Sequence, residues 1–70
     1  MGFIPIVIVY MWSGLSLEAK QKIVDGITKV FEDLRIPKEA VETVIIETSK
    51  ENWGVGGELA SVKFKQIKPP

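Results

Sequence analysis

Seventy residues make one small domain, residues 1–70, and a chain of this size buries only about 60% of its unfolded surface, so it needs a staple or a partner. There is no cysteine for a disulfide framework or thiolate chemistry, and no histidine to serve as zinc ligand or neutral-pH acid/base. Nine basic and nine acidic residues cancel, and the lysines lie scattered among acids rather than gathered into the basic patch of a nucleic-acid binder.

Residues 3–12, Phe3-Ile4-Pro5-Ile6-Val7-Ile8-Val9-Tyr10-Met11-Trp12, are β-branched and aromatic and predict a strand. Alternation puts Ile4, Ile6, Ile8 and Tyr10 on one face and Phe3, Pro5, Val7, Val9 and Met11 on the other. Both faces are apolar, as in a parallel sheet covered on both sides. Pro5 has no N–H for a ladder and belongs at the first residue of the strand or on an edge. The run is about half the length of a membrane span and lacks a signal peptide's basic leader and cleavage site. A soluble, cytoplasmic protein without a membrane partner is the expectation.

Ser13-Gly14 breaks the strand, and Ser16 is a natural N-cap with Glu18 in the first helical turn. From residue 17 to residue 34, Ile23, Val24, Ile27, Val30, Phe31 and Leu34 follow helical spacing, with Lys20, Gln21, Asp25, Lys29, Glu32 and Asp33 on the other face. Gly26 marks close packing or is simply tolerated. Pro37 ends the helical region because it biases its predecessor away from helical angles. Lys38-Glu39-Ala40 reads as a short turn, and residues 41–48 as a second strand. Strand, helix and strand form a βαβ unit. One helix covers one sheet face, so a second copy or a sister chain must cover the other.

After a polar loop at residues 49–52 comes Trp53-Gly54-Val55-Gly56-Gly57-Glu58-Leu59-Ala60-Ser61. A phosphate cradle fits poorly here, because a dinucleotide fingerprint needs a helix and a later acidic residue, and no Gly-Lys-Ser/Thr is present. A glycine-shaped hairpin or bulge at a subunit contact fits better, with at least one of Gly54, Gly56 and Gly57 at positive φ. Val62 and Phe64, alternating with Lys63 and Lys65, predict a short third strand before Pro69-Pro70.

No carboxylate pair, metal-ligand cluster or nucleophilic triad can be assembled from these residues. A terminal amine, titrating naturally at about 7.7–8.0, is the best remaining general base. Pro5-Ile6-Val7, Gly14, Ser16 and Lys20, together with the segment from Trp53 to Ser61, resemble the 4-oxalocrotonate tautomerases over residues 5–63. The resemblance implies an α+β fold: a β-α-β subunit with two parallel main strands packed on one helix and a C-terminal hairpin. It also implies assembly as dimers, usually into a hexamer, whether homo- or hetero-oligomeric. Its implied activity is isomerisation of a small carbonyl or keto-acid substrate, with an amino-terminal proline as general acid/base and no metal or organic cofactor. Carried onto this chain, Pro5 is the catalytic position and Trp53 an apolar wall that binds substrate.

Two departures keep a second reading open. Met1-Gly2-Phe3-Ile4 precede Pro5 and acylate its nitrogen, and Leu15 and Glu42 stand where the family carries carboxylate-holding arginines. The alternative is a catalytically inactive or structural subunit of a tautomerase-like oligomer.

Overall fold

The computed structural model describes residues 2–70; Met1, the first residue of the expected extension, lies outside them. Strand β1 (Ile6–Trp12) starts one residue after Pro5, where the first backbone N–H able to join a ladder occurs. It pairs in parallel with β2 (Glu42–Thr48), from Ile6 opposite Glu42 to Trp12 opposite Thr48. Helix α1 (Leu17–Glu32) makes the crossover. Its N-cap is Ser16, whose Oγ accepts the Ala19 N–H at 3.1 Å.

The helix ends two residues earlier than the apolar spacing predicts. Arg35 N–H donates to the Glu32 carbonyl at 2.8 Å and Ile36 N–H to that of Phe31 at 3.1 Å, the paired bonds of a Schellman terminus. This geometry requires a left-handed residue, and Arg35 takes it at φ 66°. A single 3₁₀ turn (Lys38–Ala40) then leads into β2.

The helix packs on one face of the two-stranded sheet. Val7, Val9 and Met11 of β1 and Ile23, Val24, Ile27 and Phe31 of α1 are half-buried. Val30 and Leu34, expected in the same stripe, are mostly exposed. Leu34 lies beyond the helix, and a sheet two strands wide, roughly 10 Å, is too narrow to reach Val30 at the stripe's margin. An added β-carbon on Gly26 would meet nothing within 4 Å, so within the chain this glycine is tolerated rather than required by packing. The opposite sheet face carries Ile6 and Tyr10, 62% and 64% exposed, with Ile8, Val44 and Ile46 between them. Among the described residues only Pro5, Ala40 and Ala60 are buried.

A globule of this length has a radius of gyration of about 11 Å; this chain has 15.2 Å and measures 46 × 24 × 14 Å. It exposes 5386 Å², where a compact monomer of its mass exposes roughly 4,400 Å². The fold is two layers with one side left bare.

Beyond a 3₁₀ turn (Lys50–Asn52) lies the glycine hairpin, β3 (Gly54–Val55) paired antiparallel with β4 (Glu58–Leu59). Its two-residue turn has Gly56 at φ 61° and Gly57 at φ 84°, the double positive φ that a tight hairpin matched to strand twist demands. The third strand expected around Val62 and Phe64 is absent. Residues Ala60–Lys63 instead form one helical turn, α2. Ala60 N–H donates to the Trp53 carbonyl at 2.7 Å and Phe64 N–H to the Ala60 carbonyl at 2.8 Å. Apolar–polar alternation over four residues is short enough to arise in a turn, and here Phe64 is rotated inward against Trp12.

Candidate active site

Pro5 is buried at the entrance of β1. Its carbonyl accepts the Glu42 N–H at 3.0 Å, the bond that starts the β1–β2 ladder. Ile4 precedes it, so its nitrogen is a tertiary amide with neither a proton nor useful basicity. Glu42, in the first pair of the register opposite Ile6, is exposed at the same end of the sheet.

Trp53 lies at the other end. Its ring meets Trp12 edge-on, with centroids 6.3 Å apart and planes at 84°, an arrangement that sets one ring's positive edge against the other's negative face. Trp12 closes β1 seven residues after Pro5, a rise of roughly 23 Å. Leu15 follows Trp12 in the β1–α1 loop and is half-buried there. The fold therefore sorts the four positions into two groups, Pro5 with Glu42 and Trp53 with Leu15. One chain does not bring Pro5 and Trp53 together.

A charged cluster shapes the loop at the aromatic end. The Lys20 ammonium lies 2.6 Å from Glu47 Oε1, and Gly14 N–H donates to Glu47 Oε2 at 3.1 Å. The lysine hydrogen bond and the Gly14 N–H hold the Glu47 carboxyl below its ordinary pKa. This ties α1, β2 and the left-handed Gly14 (φ 110°) into one corner. Lys50 supplies a second anchor, its ammonium 4.9 Å from the centre of a Trp12 ring and donating to the Phe64 carbonyl at 2.7 Å. Sequence reading missed both clusters. Lys20 and Glu47 lie 27 positions apart, and nothing local marks Lys50 among eight lysines.

Comparison with known proteins agrees with this fold and with its starting point. The tautomerase enzyme family model matches residues 5–63, beginning at Pro5. The chain belongs to the tautomerase family. It is 33% identical over 54 residues to probable tautomerase K2 of Dickeya dadantii (strain 3937), a match spanning 76% of this chain and 81% of that protein. A solved structure from work on the 4-oxalocrotonate tautomerase isozymes from Methylibium petroleiphilum superposes with a TM-score of 0.78 at 33% identity. It covers 84% of this chain and 97% of its own. The tautomerase fold expected from the resemblance, a β-α-β unit with two parallel strands on one helix and a C-terminal hairpin, is the fold found. Among the described residues no helix is long and apolar enough to cross a membrane.

Proposed function

We propose that the chain is a tautomerase acting on a small carbonyl or keto-acid substrate, with Pro5 as general acid/base once residues 1–4 are removed. The observation that carries this reading is the position of Pro5, where the family match begins and where the Glu42 N–H fixes its carbonyl at the mouth of β1. As a free secondary amine, Pro5 takes a proton from one carbon of the substrate while the adjoining π-electrons shift. The ammonium so formed returns the proton to another carbon. The products balance without oxidant, metal or cofactor. A low-dielectric wall such as Trp53 favours the neutral amine and keeps its pKa within reach of neutrality.

Because Trp53 lies at the far end of β1, the wall facing Pro5 comes from a second chain. In a two-fold pair of antiparallel β1 strands, the Pro5 end of each copy meets the Trp53 end of the other. β1 has a free edge for this, since β2 occupies only one side. The glycine hairpin belongs at a contact between such copies.

The second reading, a structural or inactive subunit, is favoured by one specific observation. In the chain as it stands Pro5 is both acylated and buried, with Glu42 beside it instead of a cation.

Enol–keto conversion rates for the full chain, for a version beginning at Pro5, and for that version with Pro5→Ala separate the two readings. The full chain should be nearly inactive and the version beginning at Pro5 faster by about 10²–10⁴, the usual contribution of general acid–base help. With no guanidinium at Leu15 or Glu42, the gain should favour substrates with fewer carboxylates. Equal rates in all three would remove Pro5 from catalysis and leave the structural reading.

A further inference from the structure

Residues 64–70 lie beyond the family match, which ends at residue 63, and they are fastened to the body at four points. The Phe64 ring lies on Trp12 with centroids 5.6 Å apart. The Lys50 ammonium donates to the carbonyls of Phe64 and Ile67 while standing over the Trp12 ring. Pro69 sits so close to Gly14 that a β-carbon on Gly14 would meet Pro69 Cγ at 2.8 Å. Ser16 N–H donates to the Pro70 carbonyl at 3.3 Å. A lysine with two carbonyl acceptors and an indole beneath it acts as a clasp, and a loose tail needs none.

The fastened segment overhangs a cleft of about 270 Å³ that opens to solvent. Its floor is Met11, Trp12, Leu15 and Ile23, and its roof is residues 67–70. Hydrocarbon and indole dominate the lining; Lys68 is its one charged side chain, and that residue is exposed. Benzene fits an apolar space of roughly 150 Å³, so a cleft of this volume has room for a ring with a short substituent. The floor is continuous with the Trp12–Trp53 pair, which brings a molecule held there up to the aromatic wall of the candidate active site.

We propose that residues 64–70 and the end of β1 form a binding site for a small, uncharged aromatic compound, with Trp12 on its floor and Lys50 as the clasp of the roof. That this compound is a substrate rests on the tautomerase reading; its binding does not.

The test is a titration of the full chain with acetophenone, followed residue by residue in ¹H–¹⁵N spectra, with benzoate as a charged ring of similar size. Saturable shifts are expected at Met11, Trp12, Leu15, Ile23 and residues 67–70, with benzoate binding at least about tenfold more weakly. Leu15→Trp fills the cleft and should weaken acetophenone binding by about tenfold or more. If that variant does not fold, as judged by circular dichroism, Lys50→Met serves instead. It leaves the floor intact and frees the roof, with a similar loss expected. Absence of saturable shifts at these residues would overturn the proposal, as would unchanged affinity in the folded variant or benzoate binding as tightly as acetophenone. No turnover is measured, so an inactive version beginning at Pro5 leaves this site standing, and an active one does not rescue it.

Discussion

Ile8→Asp tests whether the bare sheet face is an interface. Ile8 is central on that face and 54% exposed. Fully burying an isoleucine side chain is worth roughly 1.5–3 kcal/mol, so covering the part still exposed contributes about 1–1.5 kcal/mol per copy. An aspartate there loses this gain and adds the cost of desolvating a carboxylate, several kcal/mol per ion after relaxation. Together these amount to about 4 kcal/mol per copy, close to a thousandfold in an association constant for each copy that brings the substitution to the interface. Because Ile8 points away from α1, the variant should keep its local β-α-β structure while it dissociates. Sedimentation velocity across a concentration series is the direct assay, with circular dichroism to follow folding. The native chain should sediment as an oligomer and Ile8→Asp as smaller species that melt at lower temperature. A native chain that is a folded monomer at micromolar concentration would refute the reasoning, as would an Ile8→Asp oligomer as stable as the native one.

Two further outcomes concern the single chain. Arg35→Gly relieves a left-handed residue at φ 66°; a side chain there costs about 1–2 kcal/mol, of which the greater freedom of unfolded glycine cancels part. A net gain of about 0.5–1 kcal/mol should raise the melting temperature by several degrees, and a fall would show that the Arg35 side chain makes a contact worth more than the strain. Glu47 has its pKa lowered by Lys20 and Gly14, so its stabilising contribution is complete above the unfolded carboxylate range, near 4.5. That contribution fades as pH falls through the lower folded value. Urea midpoints measured from neutral pH into that range should fall more steeply for the native protein than for Glu47→Gln; parallel curves would show that the ion pair contributes nothing.

Much of the fold was legible because its signals are local. A β-branched run, a helix with a serine cap and regular apolar spacing, and two adjacent glycines each specify a conformation within a few residues. The bare face was legible for a related reason: alternation assigns Ile6, Ile8 and Tyr10 to one side, and one helix cannot cover two sides. The C-terminal stretch was misread because its conformation is set by distant partners. Val62 and Phe64 alternate like a strand, yet Phe64 is drawn to Trp12, 52 positions earlier, and Lys50 reaches forward to the Phe64 carbonyl. The candidate site was legible in its members and not in their arrangement. Pro5 and Trp53 stood out by resemblance, whereas their separation along β1 follows from the parallel register and the packing of Trp53 on Trp12.

Under the proposed reading, that separation links catalysis to assembly through the residues before Pro5. Phe3 and Ile4 are 64% and 53% exposed, and by alternation Ile4 continues the apolar row of Ile6, Ile8 and Tyr10. If the extension stays in place, an interface formed on that face gains Ile4, and the Pro5 nitrogen remains an amide at a mouth that a second chain covers. That is a structural subunit. Removal of the extension gives up part of the apolar row and leaves a secondary amine at the same mouth, facing the aromatic wall of the opposing copy. That is the tautomerase of the proposed reading. The open sheet face and the two ends of β1 serve either outcome, so under the proposed reading function turns on one peptide bond, between Ile4 and Pro5. Its hydrolysis changes the chemistry of the site without requiring any other element of the fold to move.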